Sequence, residues 1–215
     1  MNGKIYSWLL ILLVTTGLLY SCVVPQIYPT VQDRQISLRS KDLETNGLAF
    51  ITPSTVTGQE EEKQIIALTF AEVLTKERPS IRCVALPETL NAVNQAGLAE
   101  DYKYMYGDYR DTGIFKRDVL RKVGEATKTR YVAQLKLASF TQASNTRLNI
   151  LGLRLVETKN AHIRLFLQIW DTQDGSIVWE GVYEMHYADD AVSEKTITLK
   201  IVMEKAAHDL IARLP

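Results

Sequence analysis

Three histidines and two cysteines are the side chains of this chain that are best suited to binding a metal or attacking a substrate. His162, His186 and His208 are far apart in the sequence, and no cysteine stands near them at metal-ligand spacing. Asp189 and Asp190 follow His186 closely, but an exposed turn after a strand explains this group better than a metal or catalytic site. The sequence therefore predicts no metal, no cofactor and no catalytic residue.

The chain also lacks the short motifs that mark common enzyme sites. It contains no Gly-rich phosphate-binding loop, no His-Glu-x-x-His and no Gly-x-Ser-x-Gly. The segment 107–113 has two spaced glycines but no Gly-Lys-Ser/Thr, so we assign it no nucleotide role. These absences favour a protein that is not an enzyme, and a hydrolase or metal enzyme is the least favoured alternative.

The first 22 residues indicate a different kind of chemistry, the modification of a cysteine. Lys4 precedes an apolar run from Ile5 to Leu19, and the small Ser21 stands directly before Cys22. A short basic region, an apolar stretch and a small residue before the cut are the parts of a secretory signal peptide. The run is interrupted by polar residues and falls short of the roughly 20 apolar residues that a spanning helix needs.

The four residues Leu19-Tyr20-Ser21-Cys22 resemble the lipobox of bacterial lipoproteins. The resemblance implies a signal peptide over residues 1–21 and a mature chain whose Cys22 carries a diacylglycerol thioether and an acylated amine. Val23, where an Asp would signal retention, implies anchoring in the outer membrane on its periplasmic side. A retained transmembrane helix or simple secretory cleavage is the alternative.

Composition indicates one globular domain without an excess of positive charge. Lys and Arg together number 25, as do Asp and Glu, which argues against nonspecific nucleic-acid binding. Hydrophobic residues make up 46% of the chain, enough for a core. If Cys22 is a thioether, Cys83 is a lone cysteine, and such a residue in a strand-like run is typically a small buried apolar side chain.

Residues 22–46 are predicted to be a lipidated tether, because the stretch 23–45 contains two prolines and many polar residues without a sustained period. A domain over residues 47–215 follows. Its first half is predicted to begin with a strand that ends at Pro53, followed by a helix that starts with acidic residues at Glu60 and ends before Pro79. A strand over 81–86 and a helix from Pro87 to Gly97 are predicted next.

The segment 98–113 is predicted to be a long loop, and long loops often carry function. Its tyrosines alternate with charged residues. This pattern suits either a surface that contacts a partner or rings that pack against the edge of the domain with their hydroxyl groups in solvent. A helix over 114–128 follows, and its basic outer side is either simply solvated or a site for an acidic partner. The candidate partner-binding residues are Tyr102, Tyr104, Tyr106, Tyr109, Lys116, Arg117 and Arg121.

The second half is predicted to be mostly strand. Strands cover 131–140, 148–156 and the run that begins at His162, and 157–161 is predicted to be a turn. Asp174-Gly175 predicts a hairpin turn that would bring Trp170 and Trp179 into or near a cross-strand pair. A last helix is predicted over 193–214. The order β-α-β-α-α-β-β-β-β-α predicts an α/β (α+β) fold with one mixed sheet of about five to six strands and helices packed on it.

This order of elements resembles the CsgG/LpoB-like lipoproteins, whose domain is similar to the amino-terminal domain of TolB. The resemblance covers about residues 48–214, and the segments that carry it are 48–53, 84–87, 123–132 and 167–179. It implies a non-enzymatic lipoprotein that binds envelope proteins as an accessory subunit in envelope assembly or export. Two alternatives stay open, an oligomeric ring in a secretion or polysaccharide-export apparatus and an activator of a peptidoglycan synthase. A homo-oligomer is also implied as possible.

Overall fold

The structure is a computed structural model that describes residues 26–150, 153–191 and 198–215. The strands in these ranges are β1 (Gln26–Gln35), β2 (Leu48–Phe50), β3 (Ser54–Thr55), β4 (Cys83–Val84), β5 (Tyr131–Ile150), β6 (Leu153–Asp171) and β7 (Ile177–Ala191). The helices are α1 (Asp42–Asn46), α2 (Glu60–Glu77), α3 (Leu86–Gln95), α4 (Ala99–Thr112), α5 (Arg117–Thr127) and α6 (Leu199–Ile211).

All the described strands belong to one mixed sheet. Its order is β1-β7-β6-β5-β2-β4, with β3 beside β5. The pairs β1–β7, β7–β6 and β6–β5 are antiparallel, whereas β2 runs parallel to both β4 and β5, and β3 runs parallel to β5. The predicted mixed sheet with packed helices is confirmed, and it is wider than expected because β1 was not foreseen.

Helices cover the two faces of this sheet and enclose two cores. The larger core lies between the sheet and the helices α2 and α6, and the alternate residues Ile163, Leu165, Leu167 and Ile169 of β6 point into it. The smaller core lies under α3, α4 and α5 and receives Trp170. Alternation along one strand therefore supplies both cores, which is what a sheet covered on both faces requires.

The predicted helix from Glu60 is confirmed as α2. Its first turn carries Glu60, Glu61 and Glu62, whose negative charge suits the positive end of the helix dipole. Ile66, Phe70 and Leu74 follow at intervals of four residues and are fully buried. The acidic start and the apolar stripe together explain why this helix could be predicted from the sequence.

The prediction of an irregular segment over 23–45 is wrong for the part that the structure describes. Residues 26–35 form β1, which pairs along its whole length with β7. Pro29 fits because β1 lies at the edge of the sheet, where a residue without an N–H group is tolerated. Leu38 and Leu43 are buried in the larger core, so the folded domain already includes this region.

The predicted turn at 157–161 is also wrong. These residues continue β6, which pairs there with β5 and, from Glu157 onward, with β7. The strands predicted over 131–140 and 148–156 belong to the long β5 and β6, which reach Ile150 and begin at Leu153. Pairing with neighbouring strands outweighs the weak strand preference of the polar side chains.

The hairpin turn at Asp174-Gly175 is confirmed, and the two tryptophans nearly pair across the strands but are not direct partners. Gly175 has a φ of 77°, and a carboxylate oxygen of Asp174 accepts a hydrogen bond from the Ser176 N–H at 2.8 Å. A register shift after residue 169 places Trp179 opposite Ile169 and Trp170 opposite Ile177. Trp179 consequently lies in the larger core and Trp170 in the smaller one.

Candidate functional site

The predicted tyrosine loop is helix α4, and most of its tyrosines are core residues. Tyr102, Met105 and Tyr109 are buried on the face of α4 that packs into the smaller core, and Tyr106 is half-buried beside them. Their spacing of three and four residues is the helical period, which the alternation of tyrosine with charged residues concealed. The predicted loop is therefore wrong.

The hydroxyl groups of these tyrosines bind polar groups inside the domain. The Tyr102 hydroxyl accepts a hydrogen bond from the Thr52 N–H at 3.0 Å, and Tyr109 donates to the Gln168 side chain at 3.2 Å. The Tyr109 ring stacks on Phe115 with their centroids 4.2 Å apart. Burial raises the pKa of Tyr102, so its hydroxyl stays protonated and neutral in this environment. These contacts leave Tyr102 and Tyr109 with a structural role.

The basic residues around α5 have partners within the chain. The Lys116 ammonium lies 3.1 Å from an Asp108 carboxylate oxygen, and the Arg117 guanidinium donates to the Gln173 carbonyl at 3.1 Å. The Arg121 guanidinium lies 3.9 Å from an Asp118 carboxylate oxygen, which is a long distance for an ion pair, and both side chains are largely exposed. Exposed ion pairs contribute little and exchange readily. Contact with a partner accordingly stays a prediction for Tyr104, whose ring is 63% exposed, and for Lys116, Arg117 and Arg121.

The predicted lipidation site lies outside the described residues, and β1 is the described strand nearest to it in the chain. Gln26 is the first residue of β1, and its backbone partner is Ala188 of β7. At the other end of β1, Gln35 pairs with Trp179, near the Asp174-Gly175 turn. Among the described residues, no helix combines the length and apolar character that crossing a bilayer requires.

Cys83 is half-buried in a surface groove of about 820 Å³ between α2 and the edge strand β4. The groove is lined by Leu68, Ala71, Glu72, Thr75, Lys76, Cys83, Val84, Ala85 and Glu88. Burial raises the pKa of the Cys83 thiol, an effect that a hydrogen bond with Thr75 partly opposes. Since the thiolate is the reactive form, this cysteine is poorly suited to catalysis.

We predict that iodoacetamide modifies Cys83 several-fold more slowly in the folded protein than in the urea-unfolded protein. The raised pKa lowers the thiolate fraction of the folded protein relative to the unfolded protein, so the ratio of the two rates is expected to be largest near pH 7 and to narrow as the pH rises past the pKa of the unfolded thiol. Mass spectrometry of the labelled peptide gives both rates, and Cys83→Ser is the control. Equal rates in the two states would show that folding neither shields the thiol from the reagent nor raises its pKa.

The structure brings His162 and His186 together with Glu184, which contradicts the expectation that these histidines stand apart. His162 and His186 are direct partners in the β6–β7 register, and Glu184 precedes His186 by two residues, so all three share one face. The imidazole centroids are 4.4 Å apart, and the His162 Nε2 lies 3.1 Å from a Glu184 carboxylate oxygen. The exposed turn predicted around His186 and Asp189 is wrong, because both residues lie within β7.

The surroundings of this histidine–glutamate cluster hold its side chains in place. The Ser139 hydroxyl lies 3.1 Å from the His162 Nδ1, on the far side of the ring from Glu184. The His162 ring lowers the pKa of the Glu184 carboxyl through their hydrogen bond, and the nearby Arg164 adds to the effect. No short motif indicates the cluster. Only the hairpin register around Asp174-Gly175, extended back to residue 162, could have paired the two histidines.

No protein-family profile and no curated protein matches the chain. Among solved structures, the PelC dodecamer from Paraburkholderia phytofirmans is similar over 87% of this chain and 94% of that chain, at 10% identity and a TM-score of 0.48. Lipoprotein GNA1162 from Neisseria meningitidis is similar over 78% and 98%, at 12% identity and a TM-score of 0.40. The LpoB C-terminal domain from Salmonella enterica is similar over 65% and 82%, at 15% identity and a TM-score of 0.38. Likenesses at these values assign no function to this chain.

Proposed function

We propose that this protein is a non-enzymatic lipoprotein of the outer membrane that faces the periplasm and serves as an accessory subunit in envelope assembly or export. The observation that carries the proposal is the lipobox-like Leu19-Tyr20-Ser21-Cys22 directly after an apolar run. Two or more acyl chains hold a protein stably at a bilayer, because each buried methylene contributes about 0.8 kcal/mol.

The start of β1 determines how far the domain can stand from the lipid. Only residues 23–25 separate Cys22 from Gln26, and the four Cα–Cα steps between these two residues span at most about 14 Å. A free tether over residues 23–46 would instead reach about 80 Å. The proposal therefore keeps the Gln26 end of β1 close to the membrane, at the end of the sheet where β5 and β6 continue further, to Ile150 and Leu153.

The opposite end of the sheet then faces the periplasm. The Asp174-Gly175 turn lies at that end, and Arg117 at the start of α5 binds the Gln173 carbonyl of the same turn. The candidate contact residues of α5 thus lie away from the membrane, where a periplasmic partner is accessible. By the resemblance to the CsgG/LpoB-like lipoproteins, that partner is either an envelope protein such as a peptidoglycan synthase or further copies of this chain in a ring.

A photo-crosslinking amino acid at position 121 tests this arrangement in intact cells. Arg121 is exposed on α5, and Gln64 is a matched exposed position on α2, on the other face of the sheet. We expect position 121 to form a discrete adduct with another envelope protein and position 64 to form none. Self-adducts alone, together with a large symmetric species in detergent, would favour the ring. Equal adduct formation at the two positions would contradict a partner surface on α5.

A further inference from the structure

We propose that His162, Glu184 and His186 bind one divalent transition-metal ion, with Zn²⁺ as the representative of the class. This proposal rests on the described geometry of β6 and β7 and is independent of whether Cys22 carries lipid. It assigns a role to the two histidines that sequence reasoning left without one.

The ligand atoms are already close to the separations of a metal site. The Glu184 carboxylate oxygen lies 3.1 Å from the His162 Nε2 and 3.9 Å from the His186 Nε2, and one potential ligand atom from each residue lies within 4.8 Å of the others. In a tetrahedral zinc site with bonds of 2.0–2.1 Å, neighbouring ligand atoms are about 3.3 Å apart. Rotation of the two imidazoles out of their stacked arrangement would bring the three donors around a common ion.

The backbone holds the three residues in register. His162 is paired directly with His186, and Glu184 is paired with Arg164, so the donors come from adjacent positions of two paired strands. The flanking Ile163 and Met185 are buried in the larger core, which fixes both strands. Donors on packed strands are positioned better than donors on loops.

Ser139 completes the arrangement as an outer partner of His162. Metal-binding histidines usually donate the N–H of their other ring nitrogen to a nearby oxygen, which fixes the tautomer. With Nε2 on the ion, the His162 Nδ1–H would donate to the Ser139 hydroxyl, which lies 3.1 Å away. A hydroxyl can also donate to an unprotonated Nδ1, so Ser139 suits the metal-free state as well.

The donor set favours a transition metal over Mg²⁺ or Ca²⁺. Two imidazoles and one carboxylate suit Zn²⁺, Cu²⁺, Ni²⁺ or Co²⁺, whereas Mg²⁺ and Ca²⁺ prefer oxygen ligands alone. Three protein ligands leave a fourth position for water or for a group from another molecule. His186 is exposed, so this position is accessible from solvent. The site lies two residues, or about 7 Å, from the start of β1.

Isothermal titration of the full-length protein in detergent with Zn²⁺ alone, after chelator treatment and dialysis, tests the proposal. We expect one Zn²⁺ per chain, and His162→Ala and His186→Ala are each expected to weaken binding at least about tenfold. The matched control is His208→Ala, since His208 lies on α6 and contacts Glu77 instead. Titration with Co²⁺ should give a tetrahedral absorption band that His162→Ala abolishes.

Thermal melting in chelator shows whether each variant folds, and Glu184→Gln, which preserves side-chain shape, replaces any variant that does not. Absence of Zn²⁺ binding by the wild-type protein would overturn the proposal. Retention of wild-type affinity by both His162→Ala and His186→Ala would also overturn it. Loss of affinity in His208→Ala equal to the loss in His162→Ala would do the same, because it would mean that the ion binds nonspecifically to surface histidines.

Discussion

Cys22→Ala is expected to remove nearly all of the protein from the outer-membrane fraction. Without the thiol no diacylglycerol thioether can form, and the precursor keeps its signal peptide and is not sorted. The physical reason for a nearly complete effect is that the acyl chains supply the stable attachment, at about 0.8 kcal/mol for each buried methylene. Density-gradient separation of inner and outer membranes, followed by immunoblotting, measures the change.

Cys83→Ala is the matched control for this experiment, because it removes the other cysteine of the chain and leaves Cys22 in place. Its distribution should equal that of the wild-type protein. If Cys22→Ala fractionates like the wild type, the protein is held in the membrane by something other than this lipid, and the proposed anchor is wrong.

Trp179→Ala is expected to lower the free energy of unfolding by roughly 3–5 kcal/mol. Trp179 has an exposed fraction of 0% and lies in the larger core. Its ring lies over Gly181, where an added Cβ would be 2.4 Å from the ring and 2.7 Å from the Leu210 side chain. Truncation would leave a large cavity between β7 and α6. Urea unfolding followed by circular dichroism measures the loss.

Tyr104→Ala is a suitable control for the loss of an aromatic ring, since the Tyr104 ring is largely exposed on α4. Its effect should lie within about 0.5 kcal/mol, as for most surface substitutions. Trp179→Phe keeps part of the packing and should fall between the two. A change for Trp179→Ala as small as that for Tyr104→Ala would place the tryptophan outside the core.

The elements that could be predicted from the sequence are those whose local signals agree with their final surroundings. The acidic turn at Glu60 and the stripe Ile66–Phe70–Leu74 specify α2 whatever packs against it. Asp174-Gly175 specifies its hairpin in the same way, because glycine readily accepts the positive φ of 77° that this turn requires at position 175. The fold class followed from elements of this kind.

The errors fall where tertiary contacts decide. In β1, the polar residues and Pro29 fit a strand only because the strand lies at an edge of the sheet. In α4, the charged residues between the tyrosines belong to the exposed face of a helix, and the buried positions Tyr102, Met105 and Tyr109 share the other face. Both segments looked irregular because their polar side chains outnumber the apolar ones.

The histidine–glutamate cluster shows the same limit for site prediction. His162 and Glu184 are separated by a complete hairpin, so no short motif contains both. Their meeting depends on register, and a shift of one residue would place the side chains of one strand on the opposite face. Sequence spacing alone therefore led to the expectation of no metal site.

The finding that residues 26–35 form a strand, and not part of a free tether, limits the distance between a lipid on Cys22 and the domain. If Cys22 is lipidated, β1 holds the domain close to the bilayer, and we expect the surface around α5 to point away from it. A partner that lies far across the periplasm would then have to extend toward the membrane itself.

The central claim is the lipid on Cys22, and intact-mass spectrometry of the protein purified from membranes tests it most directly. We expect a mass that corresponds to a chain beginning at Cys22 plus a diacylglyceryl group and one amide-linked acyl chain. We also expect that this added mass is absent from Cys22→Ala. A mass equal to the uncleaved chain, or to a chain beginning at an unmodified Cys22, would contradict the account.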